Sequence, residues 1–258
     1  MPTPSPLSPD QLDRLLRERT RFTANRFEAS CASTQDLAAA AANGATPPPD
    51  GVVWTDHQTL GRGRQQRSWL DEAGADVAAT FRCTRRLPRD FALPACVPVV
   101  VAATCEAIVD RPVRIKWPND VFYDGRKLSG VLIDAGVGSP DTYLIGIGIN
   151  ANRTRFPREL DGVATSLALQ TGLTVDRNTV LLDLAVRLEQ MLDELESGRT
   201  GPLLEEFRRR LGLLQRPVVV THNRPDRGIL TDLDFRELEL DGHRRIPLGL
   251  VQGLRAAT

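Results

Sequence analysis

Two short stretches of this sequence combine residue types that could do chemistry on an anionic substrate. The first is residues 61–69, in which Gly61 and Gly63 alternate with arginines and a tryptophan closes the run. Glycine permits positive φ and lets a ligand approach the main chain, and each guanidinium offers a planar fork of donors for phosphate or carboxylate. A run of this kind on its own is more often a solvated surface loop, so its interpretation depends on the second stretch. The side chains concerned are Arg62, Arg64, Arg67 and Trp69.

The second stretch is Lys-Trp-Pro-Asn-Asp at residues 116–120, followed by Arg-Lys-Leu-Ser-Gly at residues 126–130. Of the 33 basic residues in the chain, only Lys116 and Lys127 are lysines, and the other 31 (33 minus 2) are arginines. Lysine is a compact point charge and arginine a wide planar fork, so the two differ where a cation must fit among ligand oxygens. Chance is the competing explanation for two lysines, and their place within one polar cluster makes it the weaker one.

The apolar patterning predicts a chain of helices and strands that would position both stretches. Helices are expected at residues 9–20, 33–44, 93–109, 176–196 and 203–211, with Ser33 or Thr34 and then Asp176 as N-caps of the second and fourth. Strands are expected at residues 52–55, 77–83, 113–115 and 142–150, with residues 22–31 extended and residues 46–51 in a loop. Residues 121–123 and 127–134 are expected to form a hairpin around three turn residues. Short runs at residues 218–220, 228–230, 235–240 and 248–251 predict a small β-rich unit that must dock on the rest.

The strand expected at residues 142–150 has one unusual face. Its isoleucines alternate with Gly146, Gly148 and Asn150, which therefore share the opposite face. A glycine face has no side chains to pack, so a bulge or tight packing between strands is the simple explanation. Two glycines in alternate positions favour instead a flat group, such as a ligand, lying against the strand.

Composition excludes several classes of function. The chain has 258 residues, 41% hydrophobic and 26% charged, with a formal net charge of zero, which argues against a general nucleic-acid binder or a membrane-surface protein. No secretory signal or membrane span is visible, so a cytoplasmic protein is expected. The four cysteines lack the spacing of a metal or disulfide framework and are expected to be buried apolar groups in a reducing compartment. They are Cys31, Cys83, Cys96 and Cys105.

The motifs together resemble those of the biotin protein ligases. The resemblance rests on residues 61–64 with Arg67 and Trp69, on residues 116–120 and 127–130, and on Gly-Ile-Gly-Ile-Asn at residues 146–150. These motifs span about residues 33–150, and the combination is specific although each motif alone is weak. The resemblance implies an α+β fold: a mixed β-sheet flanked by helices forms a catalytic domain similar to class II aminoacyl-tRNA synthetases at residues 1–212. It also implies a small SH3-like β-barrel domain at residues 213–258.

The reaction that this resemblance implies has two steps. The carboxylate of biotin, the substrate, attacks the α-phosphate of ATP with Mg²⁺ present, giving biotinyl-5′-AMP and pyrophosphate. The acyl group then passes to one lysine of a biotin carboxyl carrier domain. Two anions must meet, so cations have to offset their repulsion. The mixed anhydride must also be shielded from water, which an ordered loop would do.

The resemblance also implies roles for single residues. Lys127, Arg64 and Asp120 are expected to be catalytic, with Asp120 either a ligand of Mg²⁺ or an aid to the incoming lysine. Biotin is expected to contact Ser33, Thr34, Gln35, Gln58, Gly61, Arg62, Gly63, Arg64, Lys127 and Gly130. The adenylate is expected to contact Arg64, Arg67, Trp69, Lys116, Asn119, Gly146, Gly148 and Asn150, and Lys116 is either a phosphate ligand or a group that orients Asp120.

This chain departs from the family pattern in two respects. The first motif usually ends in asparagine, and here the residue is Gln35, whose contact with biotin is either shifted or lost. Many relatives carry an N-terminal DNA-binding domain, whereas only about twenty residues precede the first expected extended segment here. No DNA partner or repressor role is therefore expected, and a monomer and a homodimer remain equally open.

Other classes of function fit these residues less well. A lipoate or octanoate ligase or transferase of the same fold would need an apolar tunnel, whereas Ser33, Thr34 and Gln58 suit a polar ureido ring. An RNA-binding module is disfavoured by the neutral charge and by the lack of aromatics interleaved with the arginines. A dinucleotide fold fails because the G-x-G-x-x-G pattern breaks at Gln66–Arg67, and no G-x-S-x-G hydrolase motif occurs.

Overall fold

A computed structural model describes residues 6–44 and 49–257 of the chain. Its helices are α1 (Pro9–Arg19), α2 (Thr34–Ala42), α3 (Leu93–Glu106), α4 (Leu167–Thr171), α5 (Arg177–Glu196) and α6 (Gly201–Leu211). The first strands are β1 (Arg26–Glu28), β2 (Gly51–Thr55), β3 (Val77–Thr84), β4 (Arg114–Lys116), β5 (Asp120–Tyr123), β6 (Arg126–Ala135) and β7 (Thr142–Ile149). They are followed by β8 (Pro217–Thr221), β9 (Pro225–Leu233), β10 (Glu237–Leu240), β11 (Arg244–Pro247) and β12 (Gly253–Ala256). Of the loop predicted at residues 46–51, residues 46–48 lie outside the described residues.

The first seven strands form one mixed sheet. Their order is β1-β2-β3-β7-β6-β5-β4, with β1 and β2 parallel and the other neighbours antiparallel. Apolar alternation turns one face of the sheet toward α3 and α5, which pack on each other and bury the main core. On the other face α2 packs through Ala38 against Val53 and Leu144. The predicted mixed sheet with flanking helices is confirmed.

The N-terminal part of the chain follows local capping rules. Ser8 caps α1 in a reciprocal capping box with Gln11, and Asp176 caps α5 as predicted. Ser33 caps α2, because its Oγ accepts from the Gln35 N–H at 3.2 Å. The extended segment predicted at residues 22–31 is shorter in the structure, where only Arg26–Glu28 pairs with β2.

The hairpin between β5 and β6 has a tighter turn than predicted. Tyr123 pairs with Arg126, so the turn is the two residues Asp124 and Gly125 rather than three. Both adopt positive φ, 48° and 74°, as in the primed turns that match the twist of paired strands. The prediction was wrong by one residue because Arg126 joins the ladder. This turn fixes the register that brings Asp120 beside the start of β6.

The last five strands form a separate antiparallel sheet in the order β11-β10-β9-β8-β12. The strand predicted at residues 248–251 is wrong, because Leu248–Leu250 is a 3₁₀ turn. Leu248 and Val251 are buried while Leu250 is exposed, and a spacing of three between buried residues is that of a turn. The true strands, β11 and β12, flank this turn.

An aromatic cluster joins the small sheet to the rest of the chain. The ring of Phe207 in α6 lies 5.9 Å from Trp117 and 6.4 Å from Phe235. The indole Nε1–H of Trp117 also donates to the carbonyl of Val251 at 2.8 Å, and this bond is buried. The residue before Pro118 in the second motif is therefore a structural link to the small sheet.

Burial also accounts for the cysteines. Cys83, Cys96 and Cys105 are buried as predicted, and burial raises the pKa of the Cys105 thiol to about 12. Cys31 is only partly buried. Among residues 6–44 and 49–257, no helix combines the length and the apolar character needed to cross a membrane.

Candidate functional site

The two motifs meet in one cavity of about 330 Å³. It lies over the face of the large sheet that carries the glycines of β7, between the first turn of α2, residues 61–69 and β6. The predicted site residues that line it are Ser33, Thr34, Gln35, Gln58, Arg62, Gly63, Arg64, Arg67, Trp69, Lys116, Asn119, Asp120, Lys127, Gly130, Gly146 and Gly148. Gly61 lines a larger neighbouring groove instead, together with much of the same loop.

The glycine face of β7 is covered, as its pattern predicted, although by the protein's own side chains. A Cβ added to Gly148 would lie 2.4 Å from Cε2 of Trp69, and one added to Gly146 would lie 2.5 Å from Oε1 of Gln35. Any other residue at these positions would displace these groups. The indole Nε1 of Trp69 is buried with no hydrogen-bond partner among the described residues.

Residues 61–69 form a closed loop rather than an extended one. The Trp69 N–H donates to the Gly61 carbonyl at 2.8 Å, and the Gly63 N–H donates to the Arg67 carbonyl at 2.7 Å. Gln65 turns the chain at its tip with a φ of 54°. The Arg62 guanidinium reaches the first turn of α2, with Nη1 2.6 Å from Asp36 Oδ1. Backbone hydrogen bonds therefore hold both ends of the loop, and its tip lines the cavity.

The predicted catalytic residues lie together. Asp120 pairs with Gly130 across β5 and β6, and this register places Lys127 Nζ 2.6 Å from Asp120 Oδ1. The same ammonium lies 5.7 Å from the Trp69 ring centroid. Partial burial lowers the pKa of Arg64, and the nearby Asp120 carboxylate opposes that shift. A cationic centre with one carboxylate is therefore set beside the tryptophan.

A second set of polar groups lines the same cavity. The Thr34 N–H donates to Gln58 Oε1 at 2.9 Å, and the Thr34 hydroxyl lies 3.2 Å from the same oxygen. Thr34 Oγ1 also lies 2.9 Å from Thr80 Oγ1. Thr80 was not predicted as a site residue, although a threonine that follows two alanines in β3 was an available signal; in the ladder it pairs with Gly146.

Other predicted site residues are engaged in structural contacts. Asn119 donates from its amide to the Val131 carbonyl at 2.9 Å, and Asn150 donates to the Thr165 carbonyl at 2.9 Å. Asn150 is not among the residues that line the cavity. Lys116 is exposed, with its ammonium 5.0 Å from the centroid of the Phe122 ring. Lys127 is thus paired with Asp120 in the cavity, whereas Lys116 is exposed at its edge.

The small sheet also contributes to the cavity wall, and none of its residues was predicted to do so. Residues at the end of β8, in β12 and just before β12 line the cavity together with the motifs. No sequence signal could have shown this, because it depends on how the two sheets dock. The residues are Thr221, Gln252, Gly253, Leu254 and Arg255.

The lining of the cavity offers one carboxylate as a ligand for a metal ion. The described residues contain no group of three or more His, Cys, Asp or Glu side chains able to hold a metal together. Asp120 is the acidic side chain that lines the cavity. One carboxylate with substrate phosphate oxygens is a usual donor set for Mg²⁺. The site therefore fits a magnesium ion that arrives with a nucleotide.

Comparisons with known proteins place this site in a family context. The family model described as the biotin/lipoate A/B protein ligase family matches residues 28–152. The chain is 27% identical over 210 residues to the bifunctional ligase/repressor BirA of Escherichia coli (strain K12), covering 78% of this chain and 65% of that protein. It is 38% identical over 162 residues to a biotin--[acetyl-CoA-carboxylase] ligase of Mycobacterium tuberculosis, covering 60% of this chain and 58% of that protein.

The chain thus spans between about half and two thirds of the length of these curated relatives. A solved structure covers more of it. The biotin protein ligase from Aquifex aeolicus in complex with biotin and ATP matches with a TM-score of 0.75 at 26% identity, covering 90% of this chain and 99% of that one.

Proposed function

This chain carries a domain of the biotin/lipoate A/B protein ligase family, and we propose that it activates biotin with ATP and transfers it to a carrier-domain lysine. The observation that carries the proposal is one cavity lined both by the hydrogen-bonded Thr34 and Gln58 and by the Lys127–Asp120 ion pair. Such a cavity can hold a polar ring and, beside it, a carboxylate and a phosphate. The Aquifex aeolicus structure, with biotin and ATP bound, supports this assignment.

The polar groups of Thr34 and Gln58 favour biotin over lipoate. A ureido ring has N–H donors and a carbonyl acceptor, and Thr34 and Gln58 are able to satisfy both kinds of group. The dithiolane of lipoate has neither, and burying these protein groups against it would leave them without partners, at a cost of about 1–3 kcal/mol each.

The first step joins two anions. A carboxylate oxygen of biotin attacks the α-phosphorus of ATP, the new O–P bond forms, and the bond to the leaving pyrophosphate breaks. The Lys127 ammonium would contact both the carboxylate and the α-phosphate, and Arg64 would bind the phosphate from the loop; both side chains line the cavity, which supports these roles. Both cations stabilise the charge that develops on the phosphate oxygens.

Magnesium would be held by Asp120 together with the phosphates of ATP, and would neutralise part of the triphosphate charge. Asp120 has a further role in the second step. The carrier lysine attacks the acyl carbon as a neutral amine, AMP departs, and the amine proton is lost. Asp120 is the carboxylate nearest to this centre and would take up that proton or hold the amine.

The loop at residues 61–69 and the small sheet would shield the mixed anhydride from water. Trp69 would stack on the adenylate, which requires the indole to adjust where it now covers Gly148. We propose the division at residues 1–212 and 213–258, with the second unit an SH3-like barrel and the first similar to class II aminoacyl-tRNA synthetases. Arg255 and Thr221 would bring that second unit into contact with bound nucleotide or carrier.

The test is pyrophosphate release by the purified chain with MgATP and one acid at a time: biotin, lipoate or octanoate. Biotin is expected to support release and the other two acids are not. A carrier domain should then gain one biotin, and its acceptor Lys→Ala variant none. Equal release with lipoate would overturn the assignment to biotin.

A further inference from the structure

Gln35, which departs from the family pattern, has its side chain fixed by three contacts beneath the cavity. Its Nε2 lies 3.0 Å from Asp134 Oδ2 and 3.3 Å from the Leu144 carbonyl oxygen. A carboxylate and a carbonyl can only accept, so the amide must turn its nitrogen toward them. The amide oxygen then faces Thr80, whose hydroxyl donates to it at 3.0 Å. The orientation of Gln35 is thus determined by Asp134 and Leu144.

This orientation determines where the hydroxyl proton of Thr80 lies. A hydroxyl has one proton, and that of Thr80 is committed to Gln35. Thr80 is fully buried, so water does not compete for its hydroxyl group. It can therefore only accept from Thr34, 2.9 Å away.

Thr34 is left with its proton directed into the protein. The acceptors within reach are Thr80 Oγ1 at 2.9 Å and Gln58 Oε1 at 3.2 Å. With either choice the proton is committed within the protein, so Thr34 can only accept from a ligand in the cavity that it lines. Gln58 Oε1 already accepts the Thr34 N–H, so the Gln58 amide keeps its nitrogen as a donor group on the other side. Thr34 and Gln58 both line the cavity, so its lining combines an acceptor with a donor.

We propose that Asp134, Gln35 and Thr80 are positioning residues that hold Thr34 as a hydrogen-bond acceptor toward an N–H of the substrate's cyclic urea. The inference rests on the proposed function, since it concerns the ring of the same substrate. It also assigns a role to Gln35: the amide does not contact the ring but orders the hydroxyls beneath it. Preorganised polarity of this kind lowers the cost of binding, because no group has to rotate when the ligand enters.

The experiment measures binding of two ligands by calorimetry. One is biotin, and the other is its cyclic carbamate analogue, in which the ring N–H facing Thr34 is replaced by oxygen. Wild-type protein should prefer biotin, because the carbamate oxygen meets a second acceptor. The Thr80→Val variant keeps the shape of the side chain and removes the hydroxyl. Its Kd for biotin should rise about three- to tenfold.

The preference of Thr80→Val for biotin over the carbamate should also shrink, because Thr34 is then able to turn its proton toward the ligand. Thr80→Ser restores the hydroxyl and should restore both affinity and preference. Asp134→Asn offers a donor to Gln35 and permits the amide to flip, so it should reduce the preference in the same direction. The KM for ATP should not change in any of these variants.

A matched control is available in α3. Thr104 is also buried, and its hydroxyl has no partner among the described residues. Thr104→Val removes a buried hydroxyl of the same kind elsewhere, and should leave both Kd values unchanged.

Each result has a definite meaning. Unchanged biotin affinity in Thr80→Val would overturn the inference, and so would an equal loss for both ligands, which is what general loosening of the site produces. If wild-type protein fails to bind biotin, the proposed function fails and the inference fails with it. Wild-type binding with Thr80→Val unaffected refutes the inference alone.

Discussion

The ammonium of Lys127 lies 2.6 Å from the carboxylate of Asp120, across adjacent strands of a hairpin whose two-residue turn sets their register. Both side chains are partly exposed toward the cavity, at 34% and 25%. An ion pair of this exposure adds little stability. Its effect is on position instead, because it holds the Lys127 ammonium beside Asp120 in the lining of the cavity.

Lys127→Arg is expected to slow adenylation on the order of 10²–10³-fold, which is typical for loss of one preorganised donor to developing charge. The charge is retained, but a planar fork in place of a point donor misplaces both anions. Pyrophosphate release measures the rate, and a thermal melt should show an intact fold. Arg14→Lys, at a side chain that is 69% exposed, is the control and should have no comparable effect. Near-normal adenylation by Lys127→Arg would remove Lys127 from the bridging role.

Gly148→Ala should disturb the position of Trp69. The added Cβ would come within 2.4–2.8 Å of three indole atoms, so the ring has to move. A displacement of about 1 Å at a reacting site can cost on the order of 10²-fold in rate. Tryptophan fluorescence should shift together with the loss of adenylation. Gly201→Ala, where an added Cβ meets nothing within 4 Å, should change neither.

Residues 61–67 are expected to become more protected when ligand binds. Trypsin should cleave after Arg62, Arg64 or Arg67 in the unliganded protein, and saturating biotin with MgATP should slow these cuts. The reason is that ordering the glycine-rich loop over the adenylate lowers the population of open conformations. Arg199, exposed between α5 and α6, is the internal control, because its cleavage should not respond to ligand. Cleavage at the loop that ignores saturating ligand contradicts the prediction.

Trp117→Phe should weaken the link between the two sheets. The variant keeps most of the aromatic packing against Phe207 and loses the buried bond to the Val251 carbonyl. Leaving that carbonyl without its partner should cost about 1–3 kcal/mol of unfolding free energy. Urea unfolding measures this loss. Trp54→Phe is the matched control, because the buried Nε1 of Trp54 has no hydrogen-bond partner among the described residues, so a smaller loss is expected. Equal losses would show that the bond to Val251 adds nothing.

Local features were within reach of sequence reasoning. The helix caps Ser33 and Asp176, the Asp-Gly turn and the glycine face of β7 all depend on residues close together in the chain. The length of the turn between β5 and β6 and the conformation of residues 248–251 were harder to predict. In the second case, an apolar run of four residues suits a strand and a 3₁₀ turn equally well until its burial is known.

The sequence by itself determined which residue types could form the site: the arginine loop, the two lysines, and the polar cluster at residues 33–35. Spacing along one strand or one hairpin places such residues without knowledge of the rest of the fold. Tertiary structure alone decided that Thr80 lies under Thr34, that Gln35 bonds to Asp134, and that Arg255 faces the cavity. These contacts join segments far apart in sequence. They depend on the order of strands in the large sheet and on how the small sheet docks, which no local periodicity encodes.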